Sequence, residues 1–417
     1  MKPLHCISRY LPLMIICMIF TTSCTSSDKK TLSENSYEPG TYGFDADFLK
    51  KHQQVVELSD GNSFVLISPE YQGRVMTSSA AGRSGNSFGW LNYDLISSGK
   101  QEAHIHAFGG EDRFWLGPEG GQFSVYFAPG KSFEFANWFV PPAIDSEPFP
   151  LISSSSTEAL FERDIHLLNH SGNTFDLAVS RKIKLLSSES VGEIIGITPD
   201  QGVDFVGFES ETQITNRGTN AWTPETGALS IWILGMLKPS PSTTIAIPYR
   251  TGTIEERGPV VNDAYFGEIP GERLLVADSV LFLKADGKFR SKIGLSPHRN
   301  TPFAGSYDAA GHVLTIVRYS VHEGTDTYVN SMWALQDHPF AGDVINAYND
   351  GPLEDGGQLG PFYELETSSP AAFLKPGESM SHIHTTFHFT GNEASLSLIS
   401  QKVLGVTTEE IARALPQ

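Results

Sequence analysis

Between residues 55 and 390 the apolar residues recur at every second position in short runs, and almost nowhere at the spacing of a helix. Period two is the signature of a strand with one buried face. The runs are cut by Gly, Pro, Asn and Ser, with 39 Gly and 25 Pro in the chain. This predicts a hairpin of 55–58 with 63–67 around the Asp60-Gly61 turn. Further strands are expected at 71–76, 123–127, 160–164, 175–186, 203–216, 229–237, 274–282, 291–295, 312–320 and 332–335. The fold class is therefore all-β, a sandwich or a barrel. No fixed-period repeat favours a propeller, and no linker interrupts 55–390, so one continuous domain is expected. Helix is expected only in a short piece at Asp45–Lys50 and in the tail, over Glu393–Gln401 and Thr408–Leu415.

The first residues read as a targeting segment. Lys2 and Arg9 precede a short apolar stretch from Leu11 to Phe20, which runs into Thr21-Thr22-Ser23-Cys24. Small residues before a cysteine resemble a bacterial lipobox, in which Cys24 becomes the lipidated first residue of the mature chain. The expected organisation is a lipoprotein signal peptide at 1–23, a flexible tether at 24–41, a β domain at 42–390 and a helical tail at 391–417. The expected location is the bacterial cell envelope, with a lipid anchor in the outer membrane. The other cysteines, Cys6 and Cys17, leave with the leader, so neither a disulfide nor a thiolate metal site is open to the mature chain.

Losing Lys2 and Arg9 leaves 27 basic residues against 48 acidic ones, a net charge of about −21. Such a surface repels nucleic acid and anionic polysaccharide, so a neutral sugar or oligosaccharide is the better-matched partner. No Gly-x-Ser-x-Gly elbow, phosphate-binding loop or dinucleotide fingerprint is present to suggest a serine hydrolase or a nucleotide enzyme.

The densest concentration of chemistry runs from His104-Ile105-His106 through Gly109-Gly110-Glu111-Asp112-Arg113 to Trp115 and Glu119. Charged groups followed at once by Phe and Trp suit a sugar: donors and acceptors for hydroxyls, and a flat ring for the apolar face of a pyranose. As a strand, this segment would put His104 and His106 on one face. Late in the chain Glu364 and Glu366 share a face by period two, as do His382, His384 and His388. If the two histidine groups met, His104, His106, His382 and His384 would offer a divalent-metal site; otherwise no cofactor is expected. The stretches 262–266 and 294–300 read as polar loops at a site's edge.

The run from Gly360 to Phe389, with Leu365-Glu366-Thr367, then Pro370-Ala371, Leu374-Lys375-Pro376-Gly377-Glu378 and His384-Thr385-Thr386, resembles the end of the aldose 1-epimerase (galactose mutarotase) superfamily. Gly73-Arg74-Val75 is similar to that family's early Gly-Gly-x-Ile strand, and His104-Ile105-His106 with Gly109-Gly110 to its His-Gly-Gly segment. The resemblance implies a mutarotase-like β-supersandwich over 55–390. It implies a general base at Glu366, an acid or sugar contact at His106, and no required cofactor. Together with the residue pattern it directs substrate binding to His104, Arg113, Trp115, Glu119, His384 and Arg74, in a concave β-sheet pocket. One departure stands out. The family's general-acid histidine follows a Thr-Asn pair, and here Thr215-Asn216 continues Arg217-Gly218-Thr219-Asn220-Ala221-Trp222 with no histidine. Acid/base chemistry of an epimerase, glycosidase or lyase is thus expected, with a non-catalytic glycan-binding lipoprotein as the alternative.

Overall fold

Two antiparallel sheets stacked face to face make up the body of the protein in the computed structural model, which describes residues 37–416 apart from 201, 323 and 354. The expected leader, Cys24 and most of the tether lie outside the described residues. The first sheet has eight strands, in the order Val56–Asp60, Ser63–Ser68, Arg74–Ser79, Gly110–Gly117, Ser230–Met236, Tyr363–Ser368, Ile345–Asn349 and Ser291–Leu295. The second has ten: Leu274–Val276, Val280–Lys284, Thr243–Pro248, Phe303–Asp308, Val313–Tyr319, Ser379–Gly391, Val203–Asn216, Thr174–Leu185, Glu158–Leu168 and Leu151–Ser154. The fold class is all-β, as the alternation implies.

Alternation also determines the layers. Ile293, Ala347 and Leu365 lie in one cross-strand row of the first sheet, Thr367, Ile233 and Phe114 in another, and all point toward the second sheet. Ile245, Ile247, Leu281, Leu283 and Val317 come from the second sheet, and those near one end form a common core with Ile293, Ala347 and Leu365. The opposite face of the second sheet, through Ala246, Phe282, Leu314, Ile316 and Phe387, is covered by Leu396, Ile399, Leu404 and Ile411 of the tail. The tail helices are sharply bounded. Asn392 caps Glu393–Leu404, which stops at Gly405 (φ 77°), and a Thr407/Glu410 capping box opens Thr408–Arg413. Among the described residues no helix is long and apolar enough to cross a membrane.

The inter-sheet layer holds polar groups bonded to one another, although Glu111 Oε1 has no partner. His382 Nε2 and His384 Nδ1 both meet Thr367 Oγ1 at 2.9 Å. His388 Nε2 meets Glu111 Oε2 at 2.8 Å, and Arg181 binds Asp112. Burial pushes the His384 imidazole down to about 4 and depresses His382 as well.

Several sequence expectations are corrected. Residues 123–127 and 332–335 are loops, and 104–106 is irregular chain. The 274–282 run is two strands, Leu274–Val276 and Val280–Lys284, paired with each other. Short helices at Tyr93–Ser98 and Ser188–Ile195, and strands at Thr243–Pro248, Phe303–Asp308 and Ile345–Asn349, come in addition.

Candidate active site on the outer face of the eight-stranded sheet

The side chains opposite the core face form an unusual surface for a sheet. Register places Lys292, Tyr348 and Glu364 in one cross-strand row, Asn346, Glu366, Leu234 and Arg113 in the next, and Ser368, Trp232 and Trp115 in a third. Two ion pairs cross this face. Arg113 Nη2 donates to Glu364 Oε1 at 2.9 Å, and Lys292 Nζ donates to Glu366 Oε2 at 2.8 Å. Trp232 Nε1 donates to the same Glu366 oxygen at 3.0 Å. Glu366 is 0% exposed and Arg113 3%, so both pairs bear a large desolvation cost that a sheet built only for stability would avoid.

Loops supply an outer layer. Glu119, Tyr265, Asp343 and Trp333 are half-buried. The Lys292 ammonium sits 4.8 Å from the Trp232 ring centroid and 5.5 Å from that of Tyr265. The Tyr265 hydroxyl donates to Asp343 at 2.6 Å, and the Tyr348 hydroxyl to Asp350 at 2.5 Å. The Arg113 guanidinium lies 4.2 Å from the Trp115 ring centroid. Trp115 in turn packs on Tyr126, Trp138 and Trp232, and Trp138 stacks on Trp333.

Electrostatics here are set by burial first. It pushes the Glu364 carboxyl up; Arg113 opposes this and Glu366 adds to it. Burial likewise raises Glu119, with Lys292 opposing. For Lys292 burial works against the charge, but Glu366 and Glu119 outweigh it and hold the ammonium above its ordinary value. Several buried polar atoms in this cluster have no protein partner: Glu366 Oε1, Arg113 Nε and Nη1, Trp115 Nε1 and Trp138 Nε1. Buried polar groups are nearly always paired, so a concentration of unpaired ones on one face points to a polar ligand.

The sequence-predicted residues distribute as follows. Glu366, Arg113, Trp115 and Glu119 come together here, and Arg74 is close enough to Arg113 for the two charges to repel. Trp115 does not offer a free ring: it is 3% exposed, with Arg113 over it. Arg74 is spent on the chain itself, donating to Gly109 O and Gln72 Oε1. Gly109 and Gly110 (φ 96° and 111°) serve this packing, because a Cβ would lie 2.0 Å from Trp90 O and 2.7 Å from Arg74 Cδ respectively. Both His106 nitrogens are engaged, Nδ1 with Asp145 Oδ2 at 2.6 Å and Nε2 with the Glu102 amide at 2.9 Å. His104 Nδ1 meets Trp138 O at 2.6 Å, its ring between Phe135 and Phe139. His384 lies between the sheets, bonded to Thr367, whose side chain points away from Glu366's face. The two histidine groups therefore do not meet, and no group of three or more His, Cys, Asp or Glu among the described residues is placed to hold a metal ion.

Lys292, Trp232 and Asp343 were not singled out by sequence reasoning. Tyr265 lay in a stretch expected at a site's edge, whereas Lys292 is one lysine in an ordinary strand pattern. Two cavities, of about 280 and 220 Å3, open elsewhere, one around Asn300 and His322 and one around Lys238 and His388. Neither has Glu366 or Arg113 in its walls.

A family model described as a family of unknown function, DUF6786, matches residues 40–415. The chain belongs to that family. No curated protein matches the sequence. Solved structures similar to this DUF6786 member include a candidate aldose 1-epimerase from Escherichia coli K12, at 14% identity over 81% of this chain and 99% of that one, with a TM-score of 0.49. A protein from Synechocystis sp. PCC 6803 has 12% identity over 82% and 96%, with a TM-score of 0.48. A galactose mutarotase-like protein from Lactobacillus casei ATCC 334 has 10% identity over 81% and 100%, with a TM-score of 0.45.

Proposed function

We propose that this protein binds a neutral carbohydrate on the outer face of the eight-stranded sheet and acts on it by acid/base chemistry centred on Glu366. The observation that carries the reading is the combination on one face of two buried cation–carboxylate pairs, unpaired donors and acceptors, and the half-buried Trp333 ring backed by the buried Trp138. Sugars need that mixture: hydroxyls take the polar groups, and ring C–H faces take the aromatics. Arg113 and Glu119 act as hydroxyl-binding groups, with Trp115 holding Arg113 in place. His106, fixed by Asp145 and the Glu102 amide, is a positioning residue beside Arg74, whose charge interacts with Asp145. The sequence supports display from the cell envelope through lipidated Cys24.

The test is a screen of the purified chain from Cys24 onward, with that residue replaced by Ser, against neutral mono- and oligosaccharides by calorimetry, with Arg113→Met in parallel. Arg113→Met should weaken the best ligand at least tenfold, since a charged hydrogen bond is worth about 1.5–3 kcal/mol. Equal affinity in the variant would remove this face from the binding site.

A further inference from the structure

Asn300 is 1% exposed, yet neither Oδ1 nor Nδ2 of its side chain has a hydrogen-bond partner. The Tyr319 hydroxyl lies close to that amide but gives its proton to Thr301 O at 2.5 Å. His322 repeats the pattern, with Nε2 buried and unpaired. Both residues line the same cavity of about 280 Å3, which has neither Glu366 nor Arg113 in its walls. Buried polar atoms are nearly always paired, so two unpaired side chains on the walls of one cavity point to a ligand that pairs them.

The surrounding chain holds these walls in place. The Arg299 guanidinium, 1% exposed, donates to the carbonyls of Arg250, Gly252, Thr253 and Gly258. It thereby ties the 249–258 segment to the 294–300 loop, in which the Arg299 and Asn300 amides both donate to Ser296 O at 3.0 Å. Pro297 and the buried Tyr328 supply apolar wall, while the exposed Arg250 and Asp326 carry opposite charges. Burial holds the His322 imidazole below its ordinary value, so it is neutral at pH 7. One cation against one carboxylate, in an acidic chain, gives a free anion little to gain. A side-chain amide presents an acceptor and two donors side by side, and a neutral imidazole nitrogen either donates or accepts. A hydroxyl does both, so two hydroxyls on adjacent carbons match the amide oxygen and nitrogen together. Small-molecule sites begin at roughly 300 Å3, so this cavity takes a single ring and not a chain of them.

We propose that this cavity is a second ligand site, which binds a vicinal hydroxyl pair of a small neutral polyol, such as one sugar ring, between the Asn300 amide and His322 Nε2. It uses no residue of the outer face and stands apart from the reading given for that face.

The probes are myo-inositol, methyl β-D-galactopyranoside and methyl α-D-mannopyranoside, titrated into the isotope-labelled chain from Cys24 onward, with that residue replaced by Ser. The NMR signal of the Asn300 side-chain amide, identified by its loss in Asn300→Leu or in Asn300→Asp, reports contact at this cavity alone. At least one polyol should shift that signal saturably. His322→Phe removes the second hydrogen-bonding wall and should raise the Kd read from the shift about tenfold. Arg113→Met should leave that Kd within about twofold, whatever it does to binding at the outer face. An amide signal that none of the three moves at high millimolar concentration overturns the proposal. So does a Kd that His322→Phe leaves unchanged, and so does a shift that disappears in Arg113→Met, which would put the polyol on the outer face.

Discussion

Replacing Lys292 by Met would leave the Glu366 carboxylate at 0% exposure without its counter-ion. At 2.8 Å and an effective dielectric of about 20, the attraction lost is about 6 kcal/mol. Part of this is returned because the ammonium no longer has to be desolvated, which brings the expected cost to about 3–5 kcal/mol, typical of breaking a buried pair. Glu366→Gln should cost less, about 2–3 kcal/mol, because Lys292 still faces Glu119 and Glu364. Removing both charges in Lys292→Met/Glu366→Gln relieves the orphaned charge, so the double variant should be about 2–3 kcal/mol more stable than the sum of the singles predicts. Urea unfolding of the four proteins at pH 7, read by tryptophan emission and by circular dichroism, measures this coupling. Single variants that each cost under about 1 kcal/mol and add to within 0.5 kcal/mol would show that the two charges do not depend on each other, and the electrostatic account of the site would fail.

Acid should weaken the sandwich from within. Burial holds His384 down at about 4, against an ordinary 6.5. The unfolded chain therefore binds its proton more readily, and stability is complete above about pH 6.5 and declines as pH falls toward 4. His384 alone contributes about 3 kcal/mol to that decline, visible as a falling urea midpoint between pH 7 and pH 4.5 and reduced in His384→Gln. Gly120→Ala places a Cβ 2.4 Å from Met332 O and 2.8 Å from Ser331 O. The loops bearing Glu119 and Trp333 must then part, and sugar affinity measured by calorimetry should drop about tenfold, or about 1.4 kcal/mol. Cys24→Ala should abolish palmitate labelling in cells; labelling that persists would end the lipoprotein reading.

Much of the fold is legible in the alternation. Val203–Asn216 and Ser291–Leu295 begin and end where the sequence pattern says they should; in the first, alternating burial means that a one-residue slip would invert the faces, whereas the second is buried along its whole length. The tail helices are legible through Asn392, Thr407 and Glu410, whose capping is local. The irregular path of 104–106 is not, since it is set by distant partners: Trp138 O for His104 and Asp145 for His106. At the site, Glu364 and Glu366 share a face by spacing alone, and Arg113 lies in the densest cluster of charge and aromatic residues. Lys292 was illegible for a physical reason. Its meaning comes from register across three strands, Lys292 to Tyr348 to Glu364, and no local pattern encodes which strands become neighbours. The late histidines misled for the related reason that a shared strand face does not say which face. Glu366 points out of the sandwich and Thr367, with His382 and His384 on it, points in.

The account's central claim is that sugar binds against the outer face, where Trp115, Trp138, Trp232 and Trp333, four of the chain's six tryptophans, are gathered. A tryptophan-emission titration with the sugar that binds best in calorimetry tests this directly. The account predicts a saturable change in emission that follows the calorimetric isotherm and is largely lost in Trp333→Ala. Calorimetric binding with unchanged emission, or an emission change that Trp333→Ala leaves intact, would place the sugar elsewhere and contradict it.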